Sequence, residues 1–436
     1  MAFALFLAAT SYQATAQEKL AIAGYSPYSL YGFGDLVRPG TTYNLSMAGM
    51  GIGLRNEMVI NILNPAAVTA REAKSFMFDI GIENRNTIYE GNAATAMGSE
   101  AEGPLKTANN TFTVHHMVVS FPIEKHSAFK VGIVPYSNVG YDFTSQEKDD
   151  ELIAEVGDIS YTKIGRGSIY QVFLGAAATF WNRLSVGVDG QYYFGDIERY
   201  SNASFNTRSY YRSLSTGWSY NVSSFGVKFG LQYSQPLDKG KSLTIGATYT
   251  PAFRLKGGET RYAFGETSTV TDTIAWRKSS ISSFAVPAEI GAGITLRANE
   301  KWLAGFDFVY QDWRNCVTYA DTPGIDLTTG RALNFRLGGE WTPNRYDIRS
   351  FFRRFTYRAG VYHERSHLIL NGSPVASTGL TIGVGVPVFR YYNSINVGLE
   401  IGQRGTLKND IIRERYFLVN VSFNIHDIWF IKPLYN

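Results

Sequence analysis

The chain has 436 residues, and 41 Lys and Arg against 37 Asp and Glu leave a net charge of +4, too small and scattered to suit a nucleic-acid partner. Cys316 is the single cysteine, which excludes an internal disulfide, a cysteine-rich metal site and a lipid-bearing cysteine after a leader. Mean hydropathy is −0.13, and no apolar run approaches the roughly 20 residues of a spanning helix.

In chain order, Phe3 to Ala9 is apolar, and Ala14-Thr15-Ala16 before Gln17 has the small-x-small form of a signal-peptide cleavage site. Residues 1–16 are therefore expected to be a leader, although its basic start is missing. Residues 17–73 are rich in Gly and Tyr, and Ser46 to Ala66 mixes apolar and small residues without strand periodicity. Apolar content of that kind sits poorly in water, so this segment is expected to fold back as a hatch or plug inside the remainder of the chain.

Residues 74–436 repeat one unit, a long run of alternating apolar and polar side chains and then a gap. Leu184, Val186, Val188, Gly190, Tyr192 and Phe194 oppose Ser185, Gly187, Asp189, Gln191 and Tyr193. The runs from Phe225 to Ser234, from Ile395 to Gly402 and from Phe417 to Ile425 behave likewise. Successive strand residues point to opposite faces, so these are two-faced strands. Their length suits a tilted bilayer crossing of roughly 9–11 residues better than the 5–6 typical of a soluble sandwich. The polar face also carries Asp189, Lys228, Asp307, Arg336, Glu340 and Glu400, which a dry sandwich core would not accept unpaired.

The predicted strands are 74–90, 109–121, 128–145, 166–180, 183–199, 217–235 and 241–257, then 284–297, 301–315, 331–343, 355–365, 376–389, 392–404 and 414–427. That is about fourteen, an even number as bacterial single-chain barrels have. The fold class expected is all-β, a transmembrane antiparallel barrel. Short gaps alternate with long ones at 91–108, 146–165, 200–216, 258–283 and 316–330; the short gap Asn344–Arg354 is outsized. Short turns are periplasmic in such barrels, which predicts an outer-membrane protein with both termini in the periplasm.

Three motifs invite chemistry. His363-Glu364-Arg365-Ser366-His367 has the zinc-protease spacing, but that motif needs a helix, and on a strand the two histidines stand roughly 13 Å apart. His115-His116 lies mid-strand, which predicts rings on opposite faces, and His116 with Ser120 is a pairing that alternation produces commonly. No catalytic residue, metal or cofactor is assigned. Pro135 lacks a ladder donor within a long central strand, which predicts a bulge or break in pairing between the third strand and a neighbour.

Met47-Ala48-Gly49-Met50-Gly51-Ile52-Gly53 and then Asn64-Pro65-Ala66 resemble the hatch of the long-chain fatty acid transporter (FadL/TodX-type) outer-membrane family, particularly its Bacteroidetes branch. Tyr25 to Ser29 and Tyr31 to Leu36 look typical of that branch. Pro135-Tyr136-Ser137-Asn138-Val139-Gly140-Tyr141 stands where the family's third strand kinks inward, and Val286-Pro287, Trp302, Asp307 and Trp313 match its later pattern. The resemblance implies a fourteen-stranded barrel with a lumenal hatch and passive uptake of a hydrophobic small molecule, fatty-acid-like or aromatic. The path implied runs past Asn64, Pro65 and Ala66 and out through a wall opening at Pro135–Tyr141, with outer-membrane lipid and the hydrophobic ligand as partners. The same family includes the shuttle barrel of the type IX secretion system (PorV-like). The alternative is therefore a barrel that docks envelope proteins of a secretion or assembly complex and transports nothing, with 91–108, 146–165 and 258–283 as its contact loops.

Overall fold

The computed structural model describes residues 24–71, 75–91, 105–124, 126–147, 149–205, 211–238, 240–266, 271–299, 301–316, 326–388 and 393–428. Fourteen antiparallel strands close into one barrel. They are β1 (Ser75–Gly91), β2 (Leu105–Glu124), β3 (Ser127–Gln146), β4 (Ile159–Phe180), β5 (Leu184–Phe205) and β6 (Ser213–Leu237). Then come β7 in two pieces (Lys241–Thr250, Phe253–Glu266), β8 in two pieces (Thr271–Val286, Glu289–Ala298) and β9 (Trp302–Asp312). The ring continues with β10 in two pieces (Leu327–Thr329, Arg331–Trp341), β11 (Thr356–Leu370), β12 (Ser373–Pro387), β13 (Ser394–Arg404) and β14 (Arg413–Ile428). β14 pairs with β1 from Arg413↔Glu90 to Ile428↔Ser75, which closes the ring and removes the sheet edges there.

The alternation has a physical source visible along β5. Val186 and Val188 are exposed on the outside, whereas Ser185, Asp189 and Gln191 are buried inside. Inward charges are matched across strands: Lys130 lies 3.1 Å from Asp189, Arg358 3.1 Å from Glu340, and Arg336 2.9 Å from Glu364. Such pairing is what lets ionised groups stay out of bulk water. Exposed aromatic side chains lie on the outer face, Trp181, Trp302 and Trp341 toward the short turns, the paired Phe229 and Tyr249 farther from them, and Phe225 farther still.

Three expectations need correction. The gaps 200–216 and 258–283 are mostly strand and 146–165 is partly so, because β4 starts at Ile159, β5 runs to Phe205, β6 starts at Ser213, and β7 and β8 reach Glu266 and Thr271. The gap 146–165 also holds a short helix, Asp150–Val156. Beyond the bilayer neither strand face meets lipid, so a stretch such as Gly257-Gly258-Glu259-Thr260-Arg261 loses the alternation that would reveal it. β7 and β8, read as single runs from 241 and to 297, are each split, at Pro251 and Pro287, where proline has no N–H for the ladder. His115 and His116 do not face opposite sides. A bulge in β2 leaves His115 without a partner between Gly81↔His116 and Ile82↔Val114, and both rings are buried, 3.4 Å apart at Nδ1. Residues 1–23, most of 91–108 and 316–330, and Trp429 and Phe430 lie outside the described residues.

The N-terminal segment 24–71 touches wall positions on all sides of the ring. Gly51 and Ile52 donate to Asp307 on β9 at 2.6 and 2.8 Å, Ala48 donates to Thr381 on β12, and Gln232 on β6 donates to the Ile52 carbonyl. Reaching every side of a closed ring requires a path through its interior. The wall makes room with glycine: a Cβ on Gly230 would fall 2.2 Å from Asn64 Oδ1, and one on Gly338 would fall 2.7 Å from Met47. Gly230→Val should therefore push the segment off β6 and destabilise the protein by about 1–3 kcal/mol through overpacking. Gly258→Ala, where nothing lies within 4 Å, should not. Denaturant midpoints of the refolded barrel check both.

Candidate functional site

Asn64, Pro65 and Ala66 sit where the segment meets β5, β6 and β7. Asn64 precedes a 3-10 turn (Pro65–Thr69), and its Oδ1 accepts from the Ala66 N–H at 3.0 Å. Proline at the first position of that turn suits a group whose N–H would otherwise be unmet. The Asn64 amide donates to Ile52 O at 2.9 Å and to Leu231 O at 3.1 Å, tying two parts of the segment to the wall. Ala66 is fully buried against Gly187. The triplet is thus a clamp made by one amide and one proline.

Pro135 to Tyr141 form the second site. The β2–β3 ladder runs from Glu124↔Ser127 to Met117↔Ile133 and goes no further, while β2 continues on β1 to Leu105 and β3 continues on β4 to Gln146. On the β4 side a register shift falls between Pro135↔Tyr170 and Ser137↔Ile169, with Tyr136 as the extra residue. The bulge turns Tyr136 inward, 4.8 Å from Tyr193 and 6.1 Å from Phe33. The N-terminal segment supplies what β2 does not: Asp35 and Leu36 pair with Asn138 and Ser137, Val37 donates to Tyr136 O, and Ser26 donates to Gly140 O. Ser137 Oγ donates to Phe33 O at 2.7 Å, and Ser29 Oγ contacts both backbone groups of Gly140. Val139 and Tyr141 are buried in an apolar cluster with Tyr28, Tyr31, Ile169, Phe284 and Trp313.

A cavity of about 320 Å³ extends from this wall break into the lumen. Tyr136, Phe173, Tyr193 and Phe253 face it together with charged side chains that include Asp35, Arg38, Glu289, Glu364, Glu400 and Arg404. Arg38 is the hub. Its Nη1 donates to both carboxylate oxygens of Glu400 at 3.0 Å, its Nε and Nη2 donate to Glu364 at 3.1 and 3.2 Å, and its plane lies 3.8 Å over the Tyr362 ring. Two-carboxylate coordination by one planar fork is a geometry that lysine could not reproduce. Arg404 bridges Asp35 at 2.7 Å, and Ser26 Oγ donates to Glu414 at 2.6 Å. Within the apolar cluster, the void beside Phe33 and Trp313 measures about 10 Å³, roughly room for one water.

The zinc-like motif lies on β11 as a strand. A bulge between Arg365 and Ile369 shifts the side-chain parity, so His363 is exposed beside Thr378 while His367 stacks on Trp313 at 4.3 Å. Glu364 between them is spent on Arg38 and Arg336. Among the described residues no group of three metal-ligating side chains assembles. Arg38 and its link to Glu364 and Glu400 were missed in the sequence: Arg38 lies 326 and 362 residues from them, and only parity on β11 and β13 could have hinted at a shared face.

A family model described as BamG matches residues 1–436. The chain belongs to the BamG family. No curated protein sequence matches it. Among solved structures it is similar to the CymD monoaromatic hydrocarbon channel, at 15% identity and a TM-score of 0.56 over 90% of this chain and 98% of that one. It is also similar to the Pseudomonas putida toluene transporter TodX, at 14% identity and TM-score 0.56 over 94% and 100%. A Pseudomonas aeruginosa FadL homologue matches at 13% identity and TM-score 0.56 over 91% and 100%. At these identities the likeness is one of fold, the FadL-type outer-membrane barrel.

The ionic hub makes the segment's seat sensitive to one side chain. Arg38→Met should leave Glu364 and Glu400 facing each other across the cavity, lower stability by about 3 kcal/mol, and expose residues 24–71 to trypsin in the folded barrel. Time-resolved digestion in detergent, read against Arg349→Met in an exposed turn, checks it.

Proposed function

We propose that this protein is an outer-membrane barrel that acts as a docking platform for other envelope proteins, with a lumen held closed. In this reading residues 1–16 are the leader, 17–73 the hatch and 74–436 the barrel, and the short-turn end, where β1 starts and β14 ends, faces the periplasm. The supporting observation is the character of the interior. The cavity is faced by charged side chains that include Asp35, Arg38, Glu364, Glu400 and Arg404, and the apolar residues at the wall break pack on the segment's own Tyr28, Tyr31 and Phe33. Charged groups along the route oppose passage of a lipophile, because partition needs apolar surface along the whole path.

A second reading, passive uptake of a hydrophobic small molecule past Asn64–Ala66 and out at Pro135–Tyr141, draws on one specific observation. The β2–β3 ladder lapses from Val134 onward, which is where a lateral exit would lie. The fold likeness to proteins described as toluene and monoaromatic hydrocarbon channels points the same way.

One experiment separates them. In cells lacking the native protein, the wild type and Pro135→Val are expressed to equal surface levels, and accumulation of a labelled lipophile is compared with the protein's partners after mild detergent extraction. Docking predicts a stoichiometric protein partner retained by both forms and accumulation unchanged by the substitution. Accumulation that depends on the wild-type protein and falls with Pro135→Val, with no partner retained, would transfer the function to uptake.

A further inference from the structure

The upper parts of β4 to β8 continue past the exposed aromatic residue Tyr249, their inner face packed on the N-terminal segment through Arg199 and Trp218. Tyr262 is thirteen residues along β7 from Tyr249 (262 minus 249), roughly 40 Å of strand and about 30 Å of height at the usual barrel tilt. That places it outside the hydrocarbon of the bilayer. The outward face of this sheet carries an aromatic floor. Trp276 on β8 is paired with Tyr262 on β7, their ring centroids 5.7 Å apart and their planes 21° from parallel. Phe264 lies 5.2 Å from Tyr262 and 6.2 Å from Trp276.

A glycine makes the floor flat. Tyr262 is paired with Gly217 on β6, where an added Cβ would stand 1.9 Å from the tyrosine ring. The ring therefore lies along the sheet over Gly217 and reaches Glu198 on β5, its hydroxyl 3.4 Å from the carboxylate. Ile197, next to Glu198, is fully buried in the inner cluster, so strand alternation turns Glu198 outward. Arg166 on β4 holds Glu198 at 2.8 Å, with both side chains about one-third exposed or less. Burial and the neighbouring Glu198 raise the Tyr262 hydroxyl above its ordinary range, which keeps it a donor. Across the strands the face thus reads ring, ring, carboxylate, guanidinium. Trp276 is 61% exposed.

We propose that this face is a saccharide-binding platform, occupied by the oligosaccharide of the lipopolysaccharide that surrounds the barrel. A pyranose presents one face of C–H groups, which stacks on an electron-rich ring, and a rim of vicinal hydroxyls, which suits a carboxylate and a guanidinium fixed side by side. A lipid tail would need neither polar group, and the height above the bilayer excludes it. Outward orientation just above the membrane makes the surrounding glycan the nearest occupant. The proposal is independent of whether the barrel docks proteins or passes a solute.

The test uses the full chain in detergent and, as probe, lipid-free oligosaccharide released by mild acid from the lipopolysaccharide of the producing bacterium. Tryptophan fluorescence and saturation-transfer NMR should show saturable binding, weakened about tenfold by Trp276→Ser and similarly by Glu198→Ala, with Gly258→Ala unchanged. Retained heat-modifiable migration shows that each variant still forms the barrel. Binding of intact lipopolysaccharide only, with none of the released oligosaccharide, would overturn the proposal in favour of a lipid contact. Absence of saccharide binding, with a co-purifying protein lost on Trp276→Ser, would overturn it in favour of a protein surface. Equal binding by wild type and both platform variants would overturn it outright.

Discussion

The fit of the N-terminal segment to the inner wall turns on Arg38 lying between Glu364 and Glu400. Ionised side chains within a membrane-spanning wall are tolerable only when each meets a partner, and the barrel's inner face carries more carboxylates near β11 and β13 than its own arginines hold. Arg336 serves Glu364 from the wall, but Glu400 receives its guanidinium from the N-terminal segment. The segment and the wall therefore complete each other's electrostatics. Asp307 adds the same logic through the backbone, its carboxylate receiving the N–H groups of Gly51 and Ile52 where the segment turns.

The wall break comes from the same arrangement. A strand whose partner departs leaves backbone groups unmet, and inside a bilayer that is not sustainable. Pro135 removes one donor outright, and the bulge at Tyr136 re-aims the chain so that β3 leaves β2. Asp35 to Val37, Ser26 and Ser29 then take up the carbonyls and N–H groups from Tyr136 to Gly140. A break in the ladder and a seal over it are one feature, and the seal is made by the residues just ahead of Arg38.

How much of this was legible from sequence divides by where the lipid is. All fourteen strands were readable because lipid on one side and a polar inner face on the other force alternation, as in β5 and β13. The extensions of β4 to β8 were not, since above the bilayer both faces are wet and residues such as Thr271 to Lys278 are exposed throughout. Pro135 signalled the break because a missing donor is a local property. Bulges at His115 and near His367 were invisible, since no proline marks them and each flips the side-chain parity of the rest of its strand. The clamp residues Asn64 to Ala66 stood out by resemblance, whereas Arg38 meets carboxylates on strands far from it in the chain, and the platform of Tyr262, Trp276 and Glu198 lies on strand extensions that alternation does not mark.

The most direct measurement of the central claim, that the segment seals the lumen through these contacts, is ionic conductance of the full chain in planar lipid bilayers. The account predicts that wild-type protein inserts and stays silent under applied voltage, and that Arg38→Met introduces flickering steps. Steady open-channel current through the wild-type protein would contradict it.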